Sequence, residues 1–283
     1  MKRVQTINEY LRIMNQFKKE CKAPVTNIFW TTDLVNRYIA LKRLFFKKEE
    51  KGGCFLCDES EYYRLLYYVN ANEHFDVQPL NKSIAVRNIY KTDFKKREKE
   101  FEKQLEYTGF RKMYSAVEVY VPLEQGEKLK KLNHLYQSIL KKGNFYISHL
   151  NEGDLSALLE LRKETPEFHL YNFAYKSQEE YLEEIENQHY IGIYNKEKEL
   201  CACIYIAQGM NCRMGDGICV KKEYKQKYGL GAILMCHVLN EAINVHKQKY
   251  VSWSEQQNSA SITFHESMGF MNTGRFSNEW VLE

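Results

Sequence analysis

The sequence predicts an α/β (α+β) protein whose C-terminal half is a mixed, mostly antiparallel sheet flanked by helices. Two observations support this: the order of helical and strand patterns over 143–283, and a partial repeat of that order over 1–123. At 283 residues, the chain is about twice the size of a common domain of roughly 100–150 residues. We therefore expect two domains, 1–123 and 143–283, joined by a helical linker over 124–142.

The second half alternates strand and helix patterns in the order β-α-α-β-β-β-α-β-α-β. Ser177 and Glu180 form a capping box that opens an acidic helix. The polar turn 196–199 joins two strands into a hairpin. The predicted strands are 145–148, 190–195, 200–208, 212–220, 250–253 and one near 280, and the predicted helices are 151–163, 177–187, 229–246 and 259–268.

The first half repeats part of this pattern. Two strand patterns over 54–69 match 191–206, and a helix over 94–108 ends at Gly109-Phe110 as the last helix ends at Gly269-Phe270. The first half has no counterpart of the loop and long helix over 221–246. We therefore predict a tandem duplication whose first copy is truncated.

Composition narrows the class of protein. Hydrophobic residues make up 44% and charged residues 28%, as in folded globular proteins. No apolar run approaches the roughly 18 residues that span a bilayer, and the N-terminus lacks a signal-peptide core. We therefore expect a cytoplasmic protein with reduced thiols and no membrane partner. Cys54 and Cys57 lack a second pair at zinc spacing, so they are predicted to be buried strand residues, and no metal site is expected.

The net charge of +4 conceals an imbalance between the halves. Residues 1–142 contain 28 Lys+Arg against 18 Asp+Glu, whereas 143–283 contain 13 against 19. The basic charges of the first half are interleaved with acids in the manner of an exposed helix, so nucleic acid is not the expected partner.

The most informative stretch runs from the strand ending at Val220 into glycines that open a helix, Gln226-x-x-Gly229-x-Gly231. Glycines allow a ligand to approach the backbone, and the first N–H groups of a helix have no internal partners. Such a turn can hold a pyrophosphate. Four lysines within seven positions add positive charge, namely Lys221, Lys222, Lys225 and Lys227.

This loop is similar to the acyl-CoA pyrophosphate loop of the GNAT superfamily of N-acyltransferases. A second segment, Asn258 to Gly269-Phe270, resembles the family's later motif, and both stand in the family's order. The resemblance covers 143–283 in full and the first half in outline. It implies a GNAT fold in the C-terminal half, a truncated GNAT-like N-terminal half, and acetyl-CoA as the acyl donor.

The resemblance also implies a set of cofactor contacts. The strand end at 218–220 would bind the pantetheine arm through its backbone, 226–232 would hold the pyrophosphate, and Asn258 would touch the cofactor from the next helix. The implied cofactor-binding residues are Ile218, Cys219, Val220, Gln226, Lys227, Tyr228, Gly229, Leu230, Gly231, Ala232 and Asn258.

Three residues are candidates for catalysis. His265 stands where many relatives carry a tyrosine, so it is expected either to assist departure of the coenzyme A thiolate or to be a packed helix residue. Asp216 and Glu255, near strand ends, are candidate bases for the acceptor amine, the alternative being solvated strand-end acids. The resemblance implies that the aromatic segment 165–175 lines the acceptor site, the alternative being a packed loop.

The leading hypothesis is an acetyl-CoA-dependent N-acetyltransferase that acts on a primary amine of a small molecule. One alternative is an aminoacyl-tRNA-dependent transferase of tandem GNAT architecture, because the basic first half could suit tRNA. The other alternative is an acyl-CoA-binding sensor without turnover.

Overall fold

The computed structural model divides the chain into two compact units. Unit 1 contains Met1–Ala116 and Gly274–Glu283, and unit 2 contains Val117–Thr273. The residues described are 1–22, 24–28, 30–59, 61–70, 77, 80–91, 95–123, 135–164, 177–208, 212–225 and 227–283, without the side chains of 95–98, 208, 213 and 216.

The elements up to the middle of the chain belong mainly to unit 1. They are β1 (Lys2–Arg3), α1 (Ile7–Glu20), β2 (Pro24–Thr26), α2 (Thr32–Ala40), β3 (Leu44–Lys48), β4 (Gly52–Asp58), β5 (Tyr63–Asn70), β6 (Ile84–Lys91), α3 (Lys95–Tyr107) and β7 (Arg111–Pro122). The strand order in unit 1 begins β1-β3-β4-β5-β6, with β2 paired to β5.

The later elements belong to unit 2, except for the last strand, β13, which lies mostly in unit 1. They are α4 (135–142), β8 (Tyr146–His149), α5 (Leu155–Lys163), α6 (Gln178–Glu186), β9 (Tyr190–Tyr194), β10 (Leu200–Gln208), β11 (Cys212–Val220), α7 (Leu230–Asn244), β12 (Lys249–Glu255), α8 (Ser259–Ser267) and β13 (Met271–Leu282). The strand order in unit 2 is β12-β11-β10-β9-β8.

Both faces of the unit 2 sheet carry helices. Apolar side chains of α7, among them Ile233 and Leu234, pack with Ile218 and Val220 of β11 on one face. Helices α5 and α6 pack on the other face, where Cys219 belongs to their core. Strand β11 is therefore covered on both sides up to its C-terminal end.

Most predicted elements of the second half are confirmed within a few residues. The capping box of α6 is present, since the Ser177 side chain accepts from the Glu180 backbone and the Glu180 side chain accepts from the Ser177 backbone. Cys54 and Cys57 are buried free thiols in β4, as predicted. The mixed, mostly antiparallel sheets with flanking helices agree with the predicted fold class.

The predicted division into 1–123, 124–142 and 143–283 stays a prediction, and the two compact units have other boundaries. The C-terminal residues Gly274–Glu283 lie in unit 1. The physical reason is that β13 pairs antiparallel with β6, from Arg275–Lys91 to Leu282–Ile84. Of the predicted linker helix, 135–142 is helical and 124–134 lies outside the described residues.

The elements before β4 have no counterpart among the predicted ones. Helix α1 begins at the N-cap Thr6, whose side chain accepts from the Glu9 backbone. It buries Tyr10, Ile13, Met14 and Phe17, which lie at helical spacing on one face. This pattern in the sequence was sufficient to predict the helix.

Candidate functional site

The site is built around two parallel strands that separate. Strands β11 and β12 pair from Cys212–Lys249 to Met214–Val251, and among the described residues no further pair follows. The opposite edge of β11 continues to pair with β10 as far as Val220–Ala202. The space between β11 and β12 beyond Met214 and Val251 is called the strand split of unit 2. Backbone groups of β11 that face it are available to a ligand.

A β-bulge lies at the beginning of this split. The register with β10 changes between the pairs Cys203–Cys219 and Tyr205–Asp216. Gly217 has a φ of 62°, a left-handed conformation that favours glycine. The bulge places the backbone of Asp216 opposite Tyr205, and the side chain of Asp216 lies outside the described residues.

The predicted pyrophosphate loop joins β11 to α7. Gly229, the N-cap of α7, has a φ of 64°, and no side chain caps this helix start. The first N–H groups of α7 are therefore left for an anion, and a Cβ added at Gly229 would meet nothing within 4 Å. A Cβ at Gly231 would lie 3.4 Å from Ile218, so the helix start packs closely on the strand.

Lysines surround the loop, as the sequence indicates. Lys225 and Lys227 are exposed. Lys221 lies 3.3 Å from Glu223, whose carboxylate accepts its hydrogen bond and raises its pKa. The Lys222 backbone donates to the Glu164 carboxylate at 3.2 Å. Gln226 lies outside the described residues.

Aromatic side chains hold the loop against the start of β8. Tyr228 and Tyr224 lie edge-on to Phe145, at ring-centroid distances of 5.2 and 5.7 Å. Leu230 is buried at the beginning of α7, and Ala232 follows in its first turn, half-buried. These contacts position the glycine turn at the end of the strand split.

The second motif begins at the end of β12. Asn258 is the N-cap of α8, and its Oδ1 accepts from the Ser261 backbone at 2.9 Å. Asn258 therefore caps α8, and its contact with the cofactor stays a prediction. Glu255 is half-buried at the end of β12, and its carbonyl accepts from the Asn258 backbone.

His265 is buried, with 6% of its surface exposed. Its Nδ1 lies 2.8 Å from the Ser261 carbonyl, so Nδ1–H donates there. Its Nε2 is buried with no hydrogen-bond partner among the described residues. Burial lowers the pKa of His265, opposed in part by the Ser261 carbonyl. The neutral imidazole is therefore favoured, and its Nε2 is an acceptor.

Tyr250 was missed by the sequence analysis. This residue of β12 is fully buried, and its hydroxyl occupies the space that a Cβ at Gly215 would fill, 1.4 Å from the ideal Cβ position. Gly215 follows the last β11–β12 pair, so the phenol lies where the strands separate. The sequence signal was a glycine inside a strand, which often marks a close approach.

Part of the chain matches a known protein family. Residues 155–270 match the model of the acetyltransferase (GNAT) family. No significant match was found among curated protein sequences. The similarity to GNAT acetyltransferases is therefore shown for residues 155–270, which include β9 to β12 and the pyrophosphate loop.

Solved structures resemble the fold of nearly the whole chain. A glucosamine N-acetyltransferase region of a fungal multi-domain β-N-acetylglucosaminidase has a TM-score of 0.63 at 12% identity, and the match covers 98% of this chain and 37% of that longer protein. A tandem GNAT protein of the clavulanic acid pathway has a TM-score of 0.56 at 11% identity, covering 98% and 94%. A GNAT acetyltransferase from Colwellia psychrerythraea has a TM-score of 0.53 at 11% identity, covering 100% and 99%.

Two further findings concern the described residues only. They contain no group of three His, Cys, Asp or Glu side chains arranged to hold a metal ion. None of their helices is both long and apolar enough to cross a bilayer. The predicted acceptor segment 165–175 lies outside them.

Proposed function

We propose that the chain is an acetyl-CoA-dependent N-acetyltransferase that transfers the acetyl group directly to a primary amine of a small molecule. The observation that carries this proposal is the strand split of unit 2, which opens beside a helix start without a side-chain cap at Gly229. The split supplies a slot for the pantetheine arm, and the helix start supplies N–H donors for the pyrophosphate.

The residues present fit this donor. The backbone of Ile218, Cys219 and Val220 borders the split, with Val220 beside the loop. Gln226 to Ala232 would surround the pyrophosphate, with the charge of Lys227 nearby. The close approach of Gly231 to Ile218 keeps the helix start at the end of the strand.

The reaction joins the amine nitrogen to the acetyl carbonyl and breaks the carbon–sulfur bond. Binding both reactants in one cleft supplies proximity. The oxyanion of the tetrahedral intermediate would lie near the strand amides around 219–220.

The acceptor amine must lose a proton before it attacks. For an amine with a pKa of about 10.4, forming the free base at pH 7 costs about 4.6 kcal/mol. Asp216 on β11 and Glu255 at the end of β12 are the two candidate acceptors of this proton that the sequence offers, directly or through water. Asp216 belongs to the strand that borders the donor slot.

His265 is proposed to assist the departing thiolate, in agreement with its place in the second motif. Because Nδ1–H already donates to Ser261, donation from Nε2 requires the doubly protonated ring. Burial lowers the pKa of His265, so this form is favoured only at acidic pH. We therefore expect His265→Ala to reduce turnover at acidic pH and to retain near-normal turnover at pH 8.

Calorimetry and transfer assays test the proposal. Wild-type protein is titrated with acetyl-CoA and then assayed with putrescine, glucosamine and lysine, glucosamine being the substrate named for the fungal relative. We expect Lys227→Ala to weaken acetyl-CoA binding, more at low salt than at high salt. Lys196→Ala, which changes an exposed lysine beside Glu197, is the control and should bind normally.

Other outcomes would favour the alternatives. Binding of acetyl-CoA without transfer to any of these amines would favour a sensor. Binding of aminoacyl-tRNA in place of acetyl-CoA would favour a tRNA-dependent transferase. Failure to bind acetyl-CoA at all would overturn the proposal.

A further inference from the structure

A carboxylate and an imidazole meet on the face of unit 2 covered by α5 and α6. Glu184 of α6 lies 2.5 Å from Nδ1 of His189, measured from its Oε2. The same oxygen accepts from the Tyr205 hydroxyl at 3.2 Å. His189 Nδ1–H therefore donates to the carboxylate, and its Nε2 is left as the nitrogen that can accept a proton.

The main-chain N–H and carbonyl of His189 both form backbone hydrogen bonds. Its N–H donates to the Glu184 carbonyl at 2.9 Å, and its carbonyl accepts from the Ile206 backbone at 2.7 Å. The preceding residue, Gln188, has a φ of 58°. The side chain is 30% exposed, so solutes can reach the ring. The pair is thus held in place and accessible.

Glu184 and His189 lie at the same level along the sheet as Asp216, one of the residues near the proposed reaction. Tyr205 is directly opposite Asp216 of β11 and Tyr190 of β9. The donor arm would enter the split from the loop beyond Val220, at the other end of the same strand. An acceptor amine would then approach the thioester from the Asp216 end of β11, and His189 lies at the same level along the sheet, beside β9 and two strands from β11.

We propose that Glu184 and His189, rather than Asp216 or Glu255, form the base that takes the proton lost by the acceptor amine before it attacks. This inference rests on the proposed function. The ammonium gives one proton to His189 Nε2, directly or through water, and the free amine attacks the thioester. A second proton leaves the nitrogen as the carbon–nitrogen bond forms and the thiolate departs, and it yields the free thiol. Glu184 and Tyr205 are positioning residues that orient the imidazole.

Tyr205 also packs against Tyr190 of β9, with ring centroids 5.2 Å apart, and Tyr190 in turn contacts Arg162. Arg162 of α5 is buried and its Nη1 donates to the Tyr190 hydroxyl at 3.2 Å. Burial raises the pKa of Tyr190 well above its ordinary value, so this phenol stays protonated. Tyr181 of α6 lies under the Arg162 guanidinium. Asp216 lies opposite Tyr205 by its backbone register.

The test measures kcat/KM for the amine as a function of pH in wild type and in His189→Gln. The amine is the one among putrescine, glucosamine and lysine that wild type acetylates. We expect a loss of about 100-fold at pH 7, the lower end of what a general base contributes. The loss should shrink as pH approaches the pKa of the amine, because the free base then needs no protein base. Glu184→Gln should show a smaller loss with the same trend.

The chain offers a matched control in a second histidine–carboxylate pair. His237 and Glu241 of α7 lie 3.3 Å apart, each 31% exposed. His237→Gln and Glu241→Gln should leave the pH profile unchanged. Acetyl-CoA affinity by calorimetry should be the same in all four variants.

A readout besides activity is the ¹⁵N NMR spectrum of the His189 imidazole. The Nδ1–H tautomer is expected in wild type and should be less populated in Glu184→Gln, because an amide oxygen is a weaker acceptor than a carboxylate. A pH profile of His189→Gln equal to wild type, or a loss of the same factor at every pH, would overturn the inference while leaving the proposed function intact. If wild type binds acetyl-CoA but acetylates none of the amines, the proposed function and this inference fail together.

Discussion

The two units contain the same strand arrangement and use it differently. In unit 1, β5 and β6 pair in parallel from Tyr63–Ile84 to Leu65–Val86. In unit 2, β11 and β12 pair in parallel over an equal length, ending at Met214–Val251. Both pairs then separate, and what occupies the space beyond the last pair differs between the units.

In unit 1 the chain itself fills that space. Strand β2 pairs with β5 from Pro24–Asn70 to Thr26–Tyr68. The buried Asn27 then donates to the Leu65 carbonyl at 2.9 Å and to the Arg87 carbonyl at 3.1 Å. Its Oδ1 accepts from the Tyr67 backbone at 2.8 Å. One amide side chain thus satisfies backbone groups of both separated strands.

In unit 2 the corresponding backbone groups are those of β11 and β12 beyond the last pair, Met214–Val251. They lie near the loop at Gly229 and the start of α7. Residues 221–248 connect the two strands there, whereas 71–83 connect them in unit 1. The comparison shows that separated parallel strands need partners for their backbone groups. An internal asparagine supplies them in unit 1, and the proposed donor supplies them in unit 2.

The largest expected effect comes from removing the internal partner. Asn27→Leu leaves three buried backbone groups of β5 and β6 without partners, so the free energy of unfolding should fall by about 3–5 kcal/mol. Urea unfolding measures this change. The exposed Asn15→Leu is the control, and a variant as stable as this control would contradict the role given to Asn27.

The next prediction concerns Gly215, where β11 and β12 separate at the beginning of the strand split of unit 2. Gly215→Ala brings a Cβ within 1.4 Å of the Tyr250 hydroxyl, and Tyr250 is fully buried. The overpacking should cost about 1–3 kcal/mol, measured by urea unfolding. Adding Tyr250→Phe should restore part of the stability, because the hydroxyl is the nearest atom. If Gly215→Ala is as stable as wild type, Tyr250 can move away from Gly215 without cost, and the prediction is wrong.

A third prediction separates backbone strain from ligand binding. Gly229 and Gly269 have φ values of 64° and 84°, and a Cβ at either would meet nothing within 4 Å. Alanine at each position should cost about 1–2 kcal/mol. Only Gly229→Ala should weaken acetyl-CoA binding, by about tenfold if the strain displaces the loop. Calorimetry with both variants decides this, and equal weakening would remove the special role of the loop.

The smallest effect concerns His265. Because burial lowers its pKa, the unfolded chain takes up a proton near the ordinary value of about 6.5 that the folded chain resists. This residue therefore reduces stability as pH falls from 7 to 5. His265→Phe should show a smaller decrease in Tm over that range than wild type. His237→Phe in α7 is the control, and the same decrease in all three proteins would contradict the prediction.

Much of unit 2 could be predicted because its signals are local. The Ser177 capping box, the hairpin around 196–199 and the glycines at 229 and 231 each appear within a few residues. The place of β13 could not be predicted in this way. Its polar residues Ser277, Asn278 and Glu279 are buried in unit 1, and the Arg87 Nε donates to the Ser277 hydroxyl across 190 positions.

The sequence by itself determined the class of fold, the acidic second half and the glycine turn, because helix caps, strand alternation and left-handed turns depend on neighbouring residues. Only the tertiary structure decided that Asn27 closes the split of unit 1, that Tyr250 lies over Gly215 and that Glu184 orients His189. These contacts depend on strand register and on partners from different elements. A bulge of one residue at Gly217 changes which side chains face each other, and no local pattern specifies that change.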